Sequence, residues 1–117
     1  MNQPKVSILI SFYNLAPYVD QTLQSVLDQQ TDFPIEVLCA DDGSTDDTAD
    51  KLRSWCASNP DTIRMFVMDR EQGLKVDNRG RIRRLNAIRS RLFREARGEY
   101  LCYLDGDDFY TDVHKLQ

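Results

Sequence analysis

The stretch Ile35-Glu36-Val37-Leu38-Cys39-Ala40-Asp41-Asp42-Gly43-Ser44-Thr45-Asp46-Asp47 runs from a short apolar segment into an acidic turn. Residues 35–40 have the length and β-branched content of a buried strand. Asp41-Asp42-Gly43-Ser44 ends that strand in a turn. Ser44 is predicted as the N-cap of the next helix, with Asp46 and Asp47 in its first turn, where carboxylates favour the helix dipole. Ala49, Leu52 and Trp55 or Cys56 give that helix its core face. Strand, acidic turn and helix make a β–α unit, and its neighbours repeat the pattern.

Upstream, Lys5-Val6-Ser7-Ile8-Leu9-Ile10-Ser11-Phe12 reads as a first strand, ending in Tyr13-Asn14. Pro17 suits a helix start, and Val19, Leu23, Val26 and Leu27 share one face through about Gln29. Downstream, Asn59-Pro60-Asp61 is a turn and Ile63–Met68 a third strand. Residues 69–80, with Gly73 and Gly80, read as a loop. Ile82, Leu85, Ile88, Leu92 and Ala96 recur at helical spacing, and Gly98 closes that helix. Glu99–Leu104 is a fourth strand running into Asp105-Gly106-Asp107-Asp108, and a further helix is expected near Thr111.

Alternating strands and helices predict an α/β fold of three layers, α/β/α, with a mostly parallel sheet covered on both faces. The 117 residues, 41% hydrophobic and 29% charged, make one domain spanning 1–117. No apolar run is long enough for a membrane span, and Met1-Asn2-Gln3-Pro4-Lys5 does not read as a secretory leader. Cys39, Cys56 and Cys102 are an odd number at wide spacing. They read as reduced thiols of a cytoplasmic protein rather than a disulfide or zinc framework. The lone His114 excludes a multi-histidine metal site within this chain.

The net charge of −4 argues against a nucleic-acid binder, yet charge is polarised along the chain. Residues 75–97 hold one Lys and eight Arg against Asp77 and Glu95. A solvated helix face is the plainer reading of this run. Contact with phosphates, or a peripheral seat at the inner face of an anionic membrane, is the functional one. The aspartates gather in two clusters, Asp41–Asp50 and Asp105–Asp112. In a parallel sheet the ends of strands one, two and four meet at one edge, where ligands bind. Two acidic clusters converging there repel each other unless a cation or hydrogen-bond donors offset them. Hard carboxylate oxygens suit Mg²⁺ or Mn²⁺, which leave coordination positions for substrate phosphates. The strand-two acids would accept hydrogen bonds from a base or a sugar, and Tyr13 offers an aromatic face to a nucleobase.

These segments together resemble glycosyltransferase family 2, whose nucleotide-diphospho-sugar-binding fold is called GT-A. Val6–Asn14 resembles the family's first strand, and Ala40-Asp41-Asp42-Gly43-Ser44-Thr45-Asp46 its second-strand signature. Ala96-Arg97-Gly98-Glu99-Tyr100-Leu101 and Leu104-Asp105-Gly106-Asp107-Asp108 resemble the helix end, the fourth strand and the Asp-x-Asp metal motif. The resemblance spans about Pro4 to Leu116. It implies Ser11 and Tyr13 in the nucleotide pocket, Asp42 (Asp41 less so) on a uracil-type base edge, and Asp105 on the ribose or sugar side. It further implies Asp107, with Asp105, on a divalent metal, Asp108 in support, and Arg79 near the donor. Arg89-Ser90 departs from the family's usual Arg-Asn pair. The implied reaction is inverting, metal-assisted transfer from a nucleotide-diphospho-sugar, a UDP-sugar first, to a saccharide or lipid-linked acceptor, in polysaccharide synthesis.

The family's general base lies in a later region, so the resemblance places it beyond Gln117 and leaves the catalytic residue unknown within this chain. These residues are expected to form the donor-binding part of a longer enzyme and to be inactive alone. A non-catalytic nucleotide-sugar-binding module fits the same residues. A phosphoacceptor receiver fits less well, because strand one ends in Ser-Phe-Tyr-Asn rather than an acidic pair.

Overall fold

Strand β1 (Val6–Phe12) is buried along almost its whole length, as a strand covered on both faces must be. It lies at the centre of the sheet in the computed structural model, which describes residues 3–68 and 85–116, with the backbone alone for 85–87. In chain order the other elements are α1 (Ala16–Leu27), β2 (Ile35–Asp41), α2 (Thr48–Ser58), β3 (Ile63–Val67), α3 (Leu85–Glu95) and β4 (Tyr100–Asp105). The four strands pair in parallel in the order β3-β2-β1-β4. Ile8 pairs with Val37 and Cys102, and Ser11 with Ala40 and Asp105. Among the described residues, no helix is long and apolar enough to cross a membrane.

Strand alternation divides the core in two. Ile8, Ile10, Phe12, Val37, Cys39 and Ile63 face Val19, Leu23 and Val26 of α1 and Leu52 of α2. Leu9, Leu38 and Ala40 face Ile88 and Leu92 of α3. The expected three layers are therefore present, with α1 and α2 on one face and α3 on the other.

The termini of the elements depart from expectation in two places. Helix α2 starts at Thr48 after Asp47, not after Ser44, and the Asp47 side chain makes no capping bond. Ser44 instead spends its hydroxyl on the Asp41 carboxylate. Asp46, expected inside the first turn, precedes the helix and accepts from the Thr48 amide at 2.9 Å and from its hydroxyl. Near Thr111 there are turns rather than a helix. The backbone there is bound to the residues just after α1: Gln29 Nε2 donates to the Asp112 carbonyl at 2.7 Å and Gln30 N to the Val113 carbonyl at 2.7 Å. The Asp112 carbonyl also accepts from Lys115 N at 3.2 Å, a turn bond between residues three apart. Of the predicted features, the loop over 69–80, Ile82 and the basic run up to Arg84 lie outside the described residues. So does Gln117, the last residue, beyond which the general base is expected.

Candidate functional site

Because all four strands run the same way, β1, β2 and β4 end at one edge. Backbone bonds continue across it: Asp42 N donates to Phe12 O at 2.9 Å, and Gly106 N to Ser11 O at 3.0 Å. The turns after β2 and β4 are therefore fixed to the end of β1, which brings Ser11, Tyr13, Asp41, Asp42 and Asp105–Asp108 together. Arg79 and Gln117 lie outside the described residues, so neither the arginine expected near the donor nor the base expected beyond Gln117 is part of this geometry.

The two adjacent aspartates of β2 part company through strand alternation. Asp41 is buried on the α1/α2 side, and its Oδ2 accepts from the Ser44 amide at 3.1 Å while Oδ1 accepts from the Ser44 hydroxyl. Both oxygens thus organise the turn. Asp42 is also buried, and alternation directs it toward the α3 side, which Ser11 and Asp105 share. Gly43 sits at φ 71°, a left-handed conformation that a glycine adopts without a Cβ penalty.

Asn14 stands at φ 50°, in a region where Asn is enriched among non-glycine residues. Its Oδ1 accepts from the Thr45 amide at 2.8 Å and the Asp46 amide at 3.3 Å, and its own amide donates to Ser44 Oγ at 2.9 Å. The loop it holds serves α1 in turn. Leu15 N donates to Thr48 Oγ1 at 2.9 Å and Ala16 N to Asp46 Oδ2 at 3.3 Å, so the start of α2 and the turn before it satisfy orphan amides at the α1 start. The Thr48 hydroxyl, opposed by desolvation and aided by the Thr48 and Ala16 amides, holds the Asp46 carboxyl below its ordinary value.

On the other side of the edge, Asp105, Asp107 and Asp108 are exposed, and each offers an oxygen within 4.8 Å of the other two. The turn that gathers them closes through Asp108 N to Asp105 O at 2.9 Å. Thr22 of α1 directs its hydroxyl at two carbonyls of the turn, Gly106 O at 2.8 Å and Asp108 O at 2.7 Å. Gly106 is buried, and a Cβ there would stand 2.6 Å from both Phe12 Cδ1 and Ser11 O. The turn thus lies against β1 as closely as a backbone can. Three hard oxygens so grouped are ligands of the kind Mg²⁺ takes, and they would have to draw together around an ion to reach the roughly 2.0–2.1 Å that it demands. Its charge would offset their mutual repulsion.

Ser11 Oγ lies 2.6 Å from the Tyr103 hydroxyl, and Tyr13 is 37% exposed at the rim. Sequence reasoning passed over Thr22, Tyr103 and the organising role of Asn14. Thr22 had a signal: it is the polar member of an otherwise apolar buried α1 face.

The model for "Glycosyl transferase family 2" matches residues 7–117. An uncharacterized glycosyltransferase of Nostoc sp. is 37% identical over 114 residues, covering 97% of this chain and 31% of that protein. The Escherichia coli chondroitin synthase is 35% identical over 106 residues, covering 91% of this chain and 13% of its own. Among solved structures, S. aureus TarS 1-349 in complex with UDP-GlcNAc superimposes with a TM-score of 0.68 at 26% identity, over 90% of this chain and 27% of that one. A mannosyltransferase from Pyrobaculum calidifontis in complex with GDP-Man and Mn²⁺ gives 0.70 at 26%, over 97% and 30%. The fold is thus of the GT-A type. The chain belongs to glycosyl transferase family 2, and it spans about 30% of the length of the first relatives it matches.

Proposed function

We propose that these residues form the donor-binding part of a glycosyltransferase. It would transfer a sugar from a nucleotide-diphospho-sugar, a UDP-sugar first, to a saccharide or lipid-linked acceptor hydroxyl, with inversion and with Mn²⁺ or Mg²⁺. The observation that carries the reading is the meeting of Ser11, Asp42 and the Asp105–Asp107–Asp108 trio at one strand-end edge. UDP-GlcNAc in TarS and GDP-Man with Mn²⁺ in the Pyrobaculum enzyme support it by likeness.

In this reading Asp42 accepts hydrogen bonds from the base, and Tyr13 covers one face of it. Ser11 lines the nucleotide pocket. Asp105 reaches the ribose side, and Asp107 with Asp105 holds the divalent ion, Asp108 supporting them. Such an ion neutralises charge on the departing diphosphate. Asp41 acts indirectly: by holding Ser44 it keeps the turn that presents Asp42. Arg79 is proposed near the donor on the resemblance alone. Donor binding is what these residues are assigned, and the general base is proposed beyond Gln117, again on the resemblance alone.

The test is thermal unfolding with UDP, with and without Mn²⁺. A ligand at 100 times its dissociation constant adds roughly 2.7 kcal/mol. A stabilisation that needs both UDP and Mn²⁺ and disappears in Asp107→Ala is the expected result. No stabilisation by UDP, GDP or dTDP refutes the reading.

A further inference from the structure

The contact between Ser11 and Tyr103 joins the two strands that carry the site. Register places Tyr103 opposite Leu9 and Ser11 opposite Asp105, so the 2.6 Å bond runs diagonally from β4 to β1, one pleat short of Asp105. Tyr103, Ser11 and Asp105 share the α3 face of the sheet by alternation. From α3 itself, the Arg89 guanidinium lies over the Tyr103 ring, 4.7 Å from its centroid. A cation over an aromatic face fixes the plane of the ring and leaves the phenol oxygen free to choose partners.

Each of the two hydroxyls carries one hydrogen, and their mutual bond consumes only one of the two. With the Tyr103 hydroxyl donating to Ser11 Oγ, the serine hydrogen remains available to a third acceptor beside Asp105. The backbone ladder between β1 and β4 already joins the strands, so the sheet does not depend on this pair.

We infer that Tyr103 is a positioning residue of the donor site. Held by Arg89, it fixes the Ser11 hydroxyl in one rotamer, so that the pair directs a single O–H at an acceptor oxygen of a bound nucleoside diphosphate. The inference rests on the donor-site reading above. Free rotation about χ1 would otherwise spread the Ser11 hydroxyl over three staggered positions.

Calorimetric titration of UDP with Mn²⁺ into the chain, Tyr103→Phe, Ser11→Ala and the double variant tests it. Tyr103→Phe keeps the ring and the Arg89 contact and removes only the oxygen. It is expected to weaken UDP about fivefold, the range of one neutral hydrogen bond, with an unchanged melting temperature. Ser11→Ala is expected to weaken it about tenfold, and the double variant no further, because the tyrosine acts through the serine. Unchanged affinity in Tyr103→Phe, or a double variant whose loss is the product of the two, overturns the inference. So does a Tyr103→Phe chain that loses cooperative unfolding, since the hydroxyl would then serve the fold. A wild-type chain that binds no nucleotide removes the donor-site reading and this inference together, whereas normal wild-type binding with an indifferent Tyr103→Phe removes this inference alone.

Discussion

Replacing Glu36 should unfasten the edge of the sheet opposite the site. Its side chain is 9% exposed and accepts three hydrogen bonds: from Ser7 Oγ at 2.5 Å, the Arg97 amide at 2.6 Å and Arg64 at 3.0 Å. Arg64 also donates to the Glu95 carbonyl at 2.7 Å, and Ser7 Oγ accepts from the Gly98 amide at 2.8 Å. One carboxylate therefore joins β1, β2 and β3 to the segment between α3 and β4. Burial raises the Glu36 carboxyl, but Ser7, the Arg97 amide and Arg64 outweigh it, so it lies below its ordinary value of 4.5. Hydrogen bonds to a charged partner are worth about 1 kcal/mol more than neutral ones.

Glu36→Gln keeps the shape and loses the charge, so about 2–3 kcal/mol should go. Glu36→Ala leaves the Arg64 cation, the Ser7 hydroxyl and the Arg97 amide without this acceptor and should cost about 3–5 kcal/mol. For a domain of this size each kcal/mol is worth about 4 °C, which puts Glu36→Gln about 10 °C below wild type. Trp55, the chain's single tryptophan, is a fluorescence probe for the melt. The sign with pH follows from the lowered carboxyl. The unfolded chain binds the proton more tightly, so the stabilisation is complete above pH 4.5 and is lost as pH falls through the folded value. The gap between wild type and Glu36→Gln should then narrow below about pH 4.5. A gap under about 3 °C at pH 7, or one that widens in acid, refutes the reasoning.

Gly106→Ala forces a Cβ to within 2.6 Å of Phe12 and the Ser11 carbonyl. Chemical denaturation should show a loss of about 1–3 kcal/mol, with UDP stabilisation weakened as the aspartate turn lifts. Asn14→Gly relieves the left-handed backbone but removes the bonds to Thr45 and Asp46. It should therefore still lose about 1–2 kcal/mol by denaturant unfolding, whereas a stability equal to wild type would show that conformation alone selects Asn. Cys39 is fully buried, and burial, with Cys56 nearby, drives its thiol far above the ordinary range. Iodoacetamide at about pH 8 should modify Cys39 only at the rate of global opening, measured by mass spectrometry, and after Cys102.

The fold was legible because burial on both faces leaves its mark on composition. Val6–Phe12 and Ile35–Asp41 are near-continuous apolar runs, which a strand covered on one face would not be. What was not legible was decided by bonds between distant segments. Ser44 is a plausible N-cap by type, yet its hydroxyl is taken by Asp41, and the helix starts four residues later. The turns after Thr111 follow the donor and acceptor of the Gln29 side chain, just after α1 and 83 and 87 residues earlier in the chain. Local propensity carries no information about such partners.

The candidate site shows the same division. That Asp41, Asp42 and the Asp105–Asp108 turn share an edge follows from the parallel alternation of strands and helices, which sequence periodicity reveals. Which of two adjacent carboxylates organises and which is presented does not follow from composition, since Asp41 and Asp42 are chemically identical. The period of two settles it. Asp41 lies on the side of Phe12, where Ser44 takes both its oxygens, and Asp42 on the side of Ser11 and Asp105. Moving the register of β2 by one residue would exchange those duties and place the Glu36 carboxylate among the apolar side chains under α1 and α2. The Glu36 carboxylate at the start of β2, bound to Ser7 of β1 and Arg64 of β3, and the Asn14 amide, bound to Ser44 Oγ beyond its end, therefore hold one register from both ends, and that register is what turns Asp42 toward the α3 side.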